Sequence, residues 1–319
     1  MKKLLLLFLV IFLTSAINSY SQTVPDQLLK SAALYGEKYL EPFTTAFGSN
    51  LNSGFVGGLK LDSKLGPLPV GVNIYAGVKF SGLILNSEDQ YFDLTYKDKY
   101  KYNGQDVDAT FVVKNAPTVF GSTTPSVADV YVNNVKVGTQ ELIGGVANTK
   151  FVPLFIPQLG IGSIYGTDVV VRYFPTLSLG NYGRIGFTGF AIRHNFSSYI
   201  PKMPFDIALQ GGYQNFNVEN EDGSKIINAN ATFINLQFNK NIALFSIYGA
   251  AQYENFSIDV SYIYTNPFAG EIPVNFTQKG DSHFRGILGA SFHLFPVVIN
   301  ADLNFGKRFI FTAGIGAGF

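Results

Sequence analysis

The stretch FIFTAGIGAGF (309–319) closes the sequence and alternates bulky apolar residues with small ones. Its odd positions carry phenylalanine, alanine and isoleucine, whereas its even positions carry glycine, threonine and one isoleucine. A β-strand places alternate side chains on opposite faces, so one face of this stretch is apolar and the other is mostly small. About 9 to 11 such residues suffice to cross a bilayer between lipid and a water-filled interior. The stretch therefore predicts a transmembrane β-strand.

The same period-two pattern recurs through the second half of the chain. It is clearest in VVINADLNF (297–305) and FRGILGASFHLF (284–295). Further alternating stretches are 242–254, 205–214 and 159–174, with weaker alternation in 184–198 and 226–238. We therefore predict about eight antiparallel strands from residue 158 onward. Their expected connections are short turns at 200–204, 239–241 and Pro296, and longer polar loops at 175–183, 219–225 and 263–283.

The first half of the chain is less regular. Apolar residues at helical spacing predict an amphipathic helix over 24–43 that stops at Pro42, within an N-terminal segment (22–50) that plugs the lumen or caps its periplasmic end. Strands are predicted at 54–62, 71–85, within 91–115 and at 128–140, and the sequence leaves open whether the hairpin within 91–115 belongs to the wall or projects from it. Asn103-Gly104 predicts a hairpin turn, inside an irregular insert around 86–157. The predicted fold class is all-β, a transmembrane antiparallel β-barrel over 51–319 with about 12 strands (10–14) and an N-terminal amphipathic helix.

The start and the composition of the chain indicate the compartment. A basic MKK, an apolar run from Leu4 to Leu13 and Ser19-x-Ser21 predict a cleaved signal peptide over 1–21. Of 23 basic and 22 acidic residues, removal of Lys2 and Lys3 leaves 21 against 22, so no basic excess favours nucleic acid. Only 14% of residues are charged, 15% are aromatic and none is cysteine. An exported chain without a predicted membrane helix and with apolar residues on alternate positions predicts the outer membrane, with its lipid as a partner.

Polar residues at the inward positions of the predicted strands are the candidate lumen-lining set. Most of these side chains are expected to form a network that stabilises the wall, because polar groups away from water pair with one another. Asp302 is expected to pair diagonally with Arg308. The full set comprises Asp168, Arg172, Asp206, Gln210, Tyr248, Gln252, Glu254, Arg285, Ser291, His293, Asn300, Asp302 and Arg308.

The sequence offers one weak candidate for catalysis. A two-residue turn at 296–297 would set His293 opposite Asn300 and Ser291 opposite Asp302, and a serine, a histidine and an aspartate on one face can activate a nucleophile. The set points into the lumen rather than toward lipid, so a hydrogen-bond network is favoured over a hydrolase. No zinc-ligand spacing or phosphate-binding loop occurs. We predict no enzyme, no metal and no cofactor.

Three resemblances add to these predictions. Thr312, Gly314, Ala317 and Phe319 resemble the C-terminal insertion signal of outer-membrane barrels, which implies the barrel-assembly machinery as a partner. The segments YLEPFTTAFG (39–48), APTVFGSTTP (116–125), GTDVVVRYFP (166–175) and GFAIRHNFSSYIP (189–201) resemble a family of uncharacterised outer-membrane barrels of Gram-negative bacteria. The helix before the barrel is loosely similar to the long-chain fatty-acid transporter family.

Three functions follow as hypotheses. The first is a passive channel or transporter for small or hydrophobic molecules, with a small hydrophobic ligand. The second is a non-transporting barrel that serves as a surface scaffold or as a component of secretion machinery, with a blocked lumen. The third and remotest is a lumen-site hydrolase. An open or a filled interior separates the first from the second.

Overall fold

A computed structural model describes residues 26–61, 73–145, 148–178, 184–200, 202–220, 223–266 and 270–318. The predicted signal peptide and Phe319 lie outside these residues. The chain divides into two compact units: residues 1–44, 85–150 and 259–278 form the first, and residues 45–84, 151–258 and 279–319 form the second.

One long α-helix, fifteen strands and two short 3-10 helices (Ser87–Asp89 and Ser197–Tyr199) make up the described elements. The helix is α1 (Asp26–Leu51). The strands of the first half are β1 (Asn73–Ile84), β2 (Tyr91–Tyr102), β3 (Gln105–Pro117), β4 (Val127–Val132), β5 (Val135–Glu141), β6 (Phe151–Ile164) and β7 (Thr167–Ser178). Those of the second half are β8 (Arg184–Asn195), β9 (Asp206–Glu219), β10 (Lys225–Ile242), β11 (Phe245–Asn266), β12 (Gly270–Lys279), β13 (Phe284–Leu294), β14 (Val297–Phe305) and β15 (Phe309–Gly318).

Ten antiparallel strands close into a barrel in the second unit. The order around the ring is β10-β9-β8-β7-β6-β1-β15-β14-β13-β11, and a β10–β11 pairing closes it. The strand quoted at the outset, β15, pairs with β14 on one side and with β1 on the other, for example Ala313 with Phe80. Closure satisfies the backbone hydrogen bonds that a sheet edge would leave open. β12 pairs with β11 outside the ring.

The ten ring strands lie at the lower end of the predicted range of 10–14 and below the central count of about 12, because that count included two kinds of segment that are not in the wall. Residues 54–61 contain no strand; they are irregular chain inside the barrel. The strands within 91–115 and 128–140 belong to a separate four-stranded sheet, β2-β3-β4-β5. Of the four predicted strands in the first half, only 71–85 is a wall strand, as β1.

The two ends of the barrel differ in their connections. At one end, which we call the turn rim, two-residue turns occur at Tyr165–Gly166, Ala243–Leu244 and Phe295–Pro296. At the other end, the insert rim, β1 stops at Ile84 and β6 starts at its partner Phe151, and residues 85–150 intervene. The predicted turn at 239–241 is thus wrong by a few residues, because β10 continues to Ile242.

The wall near the turn rim has an apolar outside and a polar inside. Outward side chains such as Leu209, Leu236 and Ile247 are exposed, whereas their inward neighbours Gln210 and Gln237 are buried. Exposed apolar side chains are stable only against lipid or a partner, and buried amides need hydrogen-bond partners. This is the side-chain partition of a membrane-spanning barrel.

The partition reverses toward the insert rim on the longer strands β9, β10 and β11, which have 14, 18 and 22 residues. There the inward positions are apolar, as in Val218, Ile227 and Ile258, all of which are buried. Phe47 packs inside this part of the barrel, with its ring 4.9 Å from that of Phe216. An apolar interior with a polar exterior is the pattern of a strand in water. These strands therefore extend beyond the apolar belt.

The first unit contains the sheet β2–β5, which lies within the insert between β1 and β6. Asn103 and Gly104 both have positive φ and connect β2 to β3, as the Asn-Gly turn predicts. One face of the sheet is an apolar core around Phe111 and Val130, and the opposite face is charged, with a Lys99–Asp108 ion pair at 2.5 Å. The core members are Ala109, Phe111, Val113, Ala116, Ala128 and Val130.

Helix α1 does not stop at Pro42, as predicted, but continues to Leu51. A proline inside a helix lacks an N–H and costs about 3 kcal/mol, so other contacts must support the helix here. Within the first unit, the Tyr39 hydroxyl donates to the carbonyl oxygen of Gly144 at 3.1 Å, and Phe43 packs against Phe120. Among the described residues, no helix is long and apolar enough to cross a membrane.

The reversal of polarity leads to a depth-dependent prediction. Leu288 lies in the middle of β13 and is 62% exposed. We expect Leu288→Arg to lower the free energy of unfolding in lipid vesicles by about 2–4 kcal/mol, because the charge would enter hydrocarbon. Ser257→Arg, on the outside of the extended part of β11, should cost about 0–1 kcal/mol. Equal costs in denaturant titrations of the two variants would contradict this assignment.

Candidate functional site: the filled lumen

The interior of the barrel is occupied by residues 45–61, which we call the lumen segment. It comprises the last turns of α1 and the irregular chain that follows Leu51. All of its residues are buried except Lys60, which is half-buried. A segment with so many polar groups can be buried only if the wall satisfies them.

The lumen segment runs the length of the barrel interior. Near the insert rim, the Asn50 side-chain amide donates to the carbonyl of Val152 at 2.8 Å. Near the turn rim, the Asn241 amide donates to the carbonyl of Leu61 at 2.8 Å. Hydrogen bonds connect the segment with eight of the ten ring strands, namely β1, β6, β7, β8, β9, β10, β11 and β13; the segment donates to β6 and β10, and the other six strands donate to it.

Two wall arginines bind the C-terminal end of α1. Arg172 on β7 donates to the carbonyl oxygens of Leu51 at 2.9 Å and Ser53 at 2.8 Å. Arg285 on β13 donates to the carbonyl of Ser49 at 2.9 Å. The last carbonyls of a helix have no partner within the helix and carry the negative end of its dipole. Cationic donors on the wall therefore satisfy this helix end in both hydrogen bonding and charge.

Arg172 is fully buried and is held by neutral groups. Its Nε donates to Gln158 at 3.0 Å and one of its terminal nitrogens to Gln214 at 3.2 Å. The guanidinium carbon lies 3.5 Å from the centre of the Phe55 ring, which adds a cation–π contact. Planar geometry and five donors allow one arginine to bind two carbonyls, two amides and a ring together.

The other three buried cations bind both an acceptor on the wall and the lumen segment. Arg193 forms an ion pair with Asp168 at 2.5 Å and donates to the carbonyl of Leu59. Lys79 donates to Asn300 at 2.6 Å and to the carbonyl of Gly57. Arg285 forms an ion pair with Glu254. Removing the segment would leave each of these cations short of an acceptor.

Two cavities lie against the lumen segment. One, of about 180 Å³, is at the turn rim and is lined mainly by apolar residues, among them Leu59, Ile74 and Val298. The other, of about 10 Å³, is lined mainly by polar groups including Lys60, Arg193, Tyr248 and His293. This volume is that of a single water molecule. Ligand pockets for small molecules are far larger, at roughly 300–1,000 Å³. Within the described part of the chain, no three metal-ligating side chains cluster.

The structure places twelve of the thirteen sequence-predicted lumen residues inside the ring wall. His293 is only half-buried. The buried ones are Asp168, Arg172, Asp206, Gln210, Tyr248, Gln252, Glu254, Arg285, Ser291, Asn300 and Asp302. The thirteenth, Arg308, lies in the β14–β15 connection and binds Asp281 at 3.0 Å, not Asp302 as predicted. Asp302 instead accepts a hydrogen bond from Tyr248 at 3.1 Å.

Sequence reasoning missed several members of the network, among them Lys79, Arg193 and Gln158. Lys79 alternates with Val78 and Phe80 in β1, so the period-two rule applied to 71–85 was a signal that could have found it. Arg193 lies in the stretch whose alternation is weak. Which acceptors these side chains bind depends on the lumen segment, which has no strand pattern of its own.

The hairpin register separates the residues of the catalytic hypothesis. Phe295 and Pro296 form the turn, so Leu294 pairs with Val297 and the register is shifted by two residues from the predicted one. Ser291 lies opposite Asn300, and His293 lies opposite Val298. The predicted pairs Ser291–Asp302 and His293–Asn300 are therefore wrong. Of the insertion-signal residues, Thr312 and Gly314 face the interior and Ala317 is exposed; their role in assembly stays a prediction.

A ten-stranded antiparallel ring with an apolar outer belt and a polar interior defines the class of an outer-membrane-type β-barrel protein. The family of unknown function DUF6588 matches residues 1–319, and the chain belongs to this family. No curated protein matches the chain at a significant level.

Several solved structures are similar to this chain, all of them at low identity. The beta domain of the Bordetella autotransporter BrkA is 13% identical with a TM-score of 0.34, over 78% of this chain and 100% of that one. The outer-membrane protein OmpT of Vibrio cholerae is 9% identical with a TM-score of 0.27, over 78% and 99%. The Ralstonia pickettii toluene transporter TbuX is 7% identical with a TM-score of 0.26, over 79% and 90%. With TM-scores below 0.5, these similarities say nothing about what this chain does.

The ion pair of Arg285 and Glu254 supplies a test of the network. We expect Arg285→Met to lower the free energy of unfolding by about 3–5 kcal/mol, because Glu254 would remain buried without a cation. Adding Glu254→Gln should recover part of that loss, since the lone charge is then removed. Denaturant titrations of the two single variants and the double variant measure the coupling. Additive effects would show that the two side chains do not interact.

A second test uses Asp281, which lies between β12 and β13, outside the spanning strands. Burial raises the pKa of this carboxyl, but hydrogen bonds from Lys307, Thr45 and Arg308 outweigh it and lower the pKa from 3.8 to about 2. A lowered folded-state pKa stabilises the fold above about pH 4, and the contribution is lost as the pH falls toward 2. We expect this ionised carboxylate to contribute about 1 kcal/mol to the free energy of unfolding, because its partial exposure to solvent weakens the interaction. Asp281→Asn should remove this pH dependence in thermal unfolding between pH 5 and pH 2; a variant with an unchanged pH profile would contradict it.

Proposed function

We propose that this protein is a closed outer-membrane barrel that anchors the insert of residues 85–150 at the cell surface. The observation that carries the proposal is the lumen segment, whose residues fill the barrel interior and bind eight of its strands. Because most interior polar side chains of the wall are hydrogen-bonded to the lumen segment or to one another, few of them are available to bind a solute.

The belt of exposed apolar side chains supports the membrane placement. β13, β14 and β15 have 11, 9 and 10 residues, close to the 9–11 that cross a bilayer. Aromatic side chains such as Phe284, Phe295 and Tyr199 are exposed near the strand ends, where rings favour the interface between lipid and water.

The lengths of the connections support the orientation. Outer-membrane barrels have short turns on the periplasmic side and longer connections outside the cell. The turn rim, with its two-residue turns, is therefore proposed to face the periplasm. The insert, which connects β1 to β6 at the other rim, is then proposed to face outward.

The passive channel or transporter predicted from the sequence is the alternative. It would require the lumen segment to leave or to rearrange, with the loss of acceptors for four buried cations. A hydrophobic cargo could occupy the mainly apolar cavity of about 180 Å³ at the turn rim, but the other cavity has room for about one water molecule and is lined mainly by polar groups. The hydrolase hypothesis loses the side-chain pairs on which it was based.

Conductance measurements test the closed lumen. We expect the purified protein in planar bilayers to show no stable open steps, because the lumen segment occludes the barrel. An open trimeric porin measured in the same bilayers serves as the positive control. Reproducible porin-sized steps from the wild-type protein would overturn the proposal and favour the channel.

Epitope accessibility tests the orientation. A short epitope inserted between Asn103 and Gly104, in the β2–β3 turn, should be labelled by antibody on intact cells. The matched control carries the same epitope between Ala243 and Leu244, at the turn rim, and should be labelled only after permeabilisation. The reverse pattern would contradict surface presentation of the insert.

A further inference from the structure

The outer surface of β8, β9 and β10 carries a cluster of asparagines directly beside the apolar belt. Neighbouring outward positions on the three strands form rows across the sheet. The row nearest the belt is Phe190, Tyr213 and Thr232; the next is Thr188, Asn215 and Asn230; the third is Gly186, Asn217 and Asn228. One step closer to the turn rim the row is fully apolar or glycine: Ile192, Gly211 and Ile234.

The asparagines of this surface contact one another but keep spare hydrogen-bonding groups. The Asn215 amide donates to the side-chain oxygens of Asn228 at 2.8 Å and Asn230 at 3.0 Å, and Tyr213 donates to Asn230 at 2.7 Å. Each carboxamide has two N–H donors and an oxygen that accepts twice. Within the described chain, no protein acceptor is found for the side-chain N–H groups of Asn228 and Asn230, and both residues are half-exposed.

The surface is uncharged across its two asparagine rows. The nearest outward charges lie one row further from the belt and are Arg184, Glu219 and Lys225. Arg184 and Glu219 form an ion pair at 3.4 Å, and Lys225 lies opposite Glu219 in the strand register. A site for phosphate groups would need free cations or bidentate arginines. Amides and threonine hydroxyls both donate and accept, so they suit ligands whose groups also do both, namely sugar hydroxyls.

We propose that the rows of Thr188, Asn215, Asn217, Asn228 and Asn230 bind the carbohydrate part of an outer-leaflet glycolipid. This inference rests on the proposed membrane placement. The surface continues the apolar belt without a gap, so acyl chains against Ile192 and Ile234 would set neutral sugars at the height of the asparagines. Tyr213 and Phe190 lie between the apolar belt and the asparagine rows, where an aromatic ring can contact both the acyl chains and the sugars.

The test measures binding of a defined probe to the full-length protein in detergent. The probe is the oligosaccharide of an outer-membrane glycolipid, freed of acyl chains and phosphates, titrated by calorimetry or by native mass spectrometry. The triple variant Asn215→Ala, Asn228→Ala, Asn230→Ala should bind at least tenfold more weakly than the wild type. Gln140→Ala, which removes an exposed strand amide in the insert, is the matched control and should leave the affinity unchanged.

Two outcomes overturn the inference. One is the absence of saturable binding of the neutral oligosaccharide by the wild type; the other is binding by the triple variant within twofold of wild type. Binding of only the phosphorylated oligosaccharide also overturns it, because charge rather than hydroxyl recognition would then be responsible. Asn228→Asp, which keeps the side-chain shape, is a second variant in case the triple variant misfolds, and we expect it to lose affinity as well.

The result is separable from that of the proposed function. Heat-modifiable migration on gels reports whether each variant is a folded barrel, and bilayer conductance reports whether the lumen is closed. A folded, non-conducting protein that does not bind the oligosaccharide would refute only the proposed glycan-binding surface. A conducting protein that binds the oligosaccharide would refute the closed lumen alone.

Discussion

The structure depends on a helix that ends inside a barrel. The last carbonyls of α1 lie away from water, and leaving a buried carbonyl without a donor costs about 1–3 kcal/mol. Arg172 and Arg285, from β7 and β13, supply the donors. The dependence is mutual, because the same guanidinium groups would be buried cations without sufficient acceptors if the helix end were absent. Wall and lumen segment thus stabilise each other as one polar core.

This arrangement explains why polar residues are so frequent at inward positions of the wall. In a water-filled channel such side chains would be solvated and interchangeable. Here most of them have protein partners, as Asp168 has in Arg193 and as Lys79 has in Asn300. The interior near the turn rim is therefore packed by hydrogen bonds, and the interior near the insert rim is packed by rings such as Phe47 and Phe216.

Strand alternation made most of the wall predictable, and its weak points have a physical cause. In 226–238 the inward residues change from apolar Ile227 to polar Asn235 along a single strand, because β10 passes from the extended part of the barrel into the belt. A rule that assigns one polarity to each face of a strand therefore finds only weak alternation in this segment. The same rule also assigned residues 54–61 to a strand, because the short apolar runs around Phe55 resemble strand alternation, whereas these residues pack inside the ring. The partners of Arg172 and Arg308 were beyond any local pattern, because they depend on chain segments far away in sequence.

The lumen segment precedes every ring strand in the chain. Natural chains do not thread a segment through a structure that has already closed. A sheet that closes around residues 45–61 avoids such threading, and the pairing that completes the ring is the one between its first and last strands, β1 and β15. Folding of this barrel accordingly encloses a segment of its own chain, and the wall closes around residues that precede it in sequence.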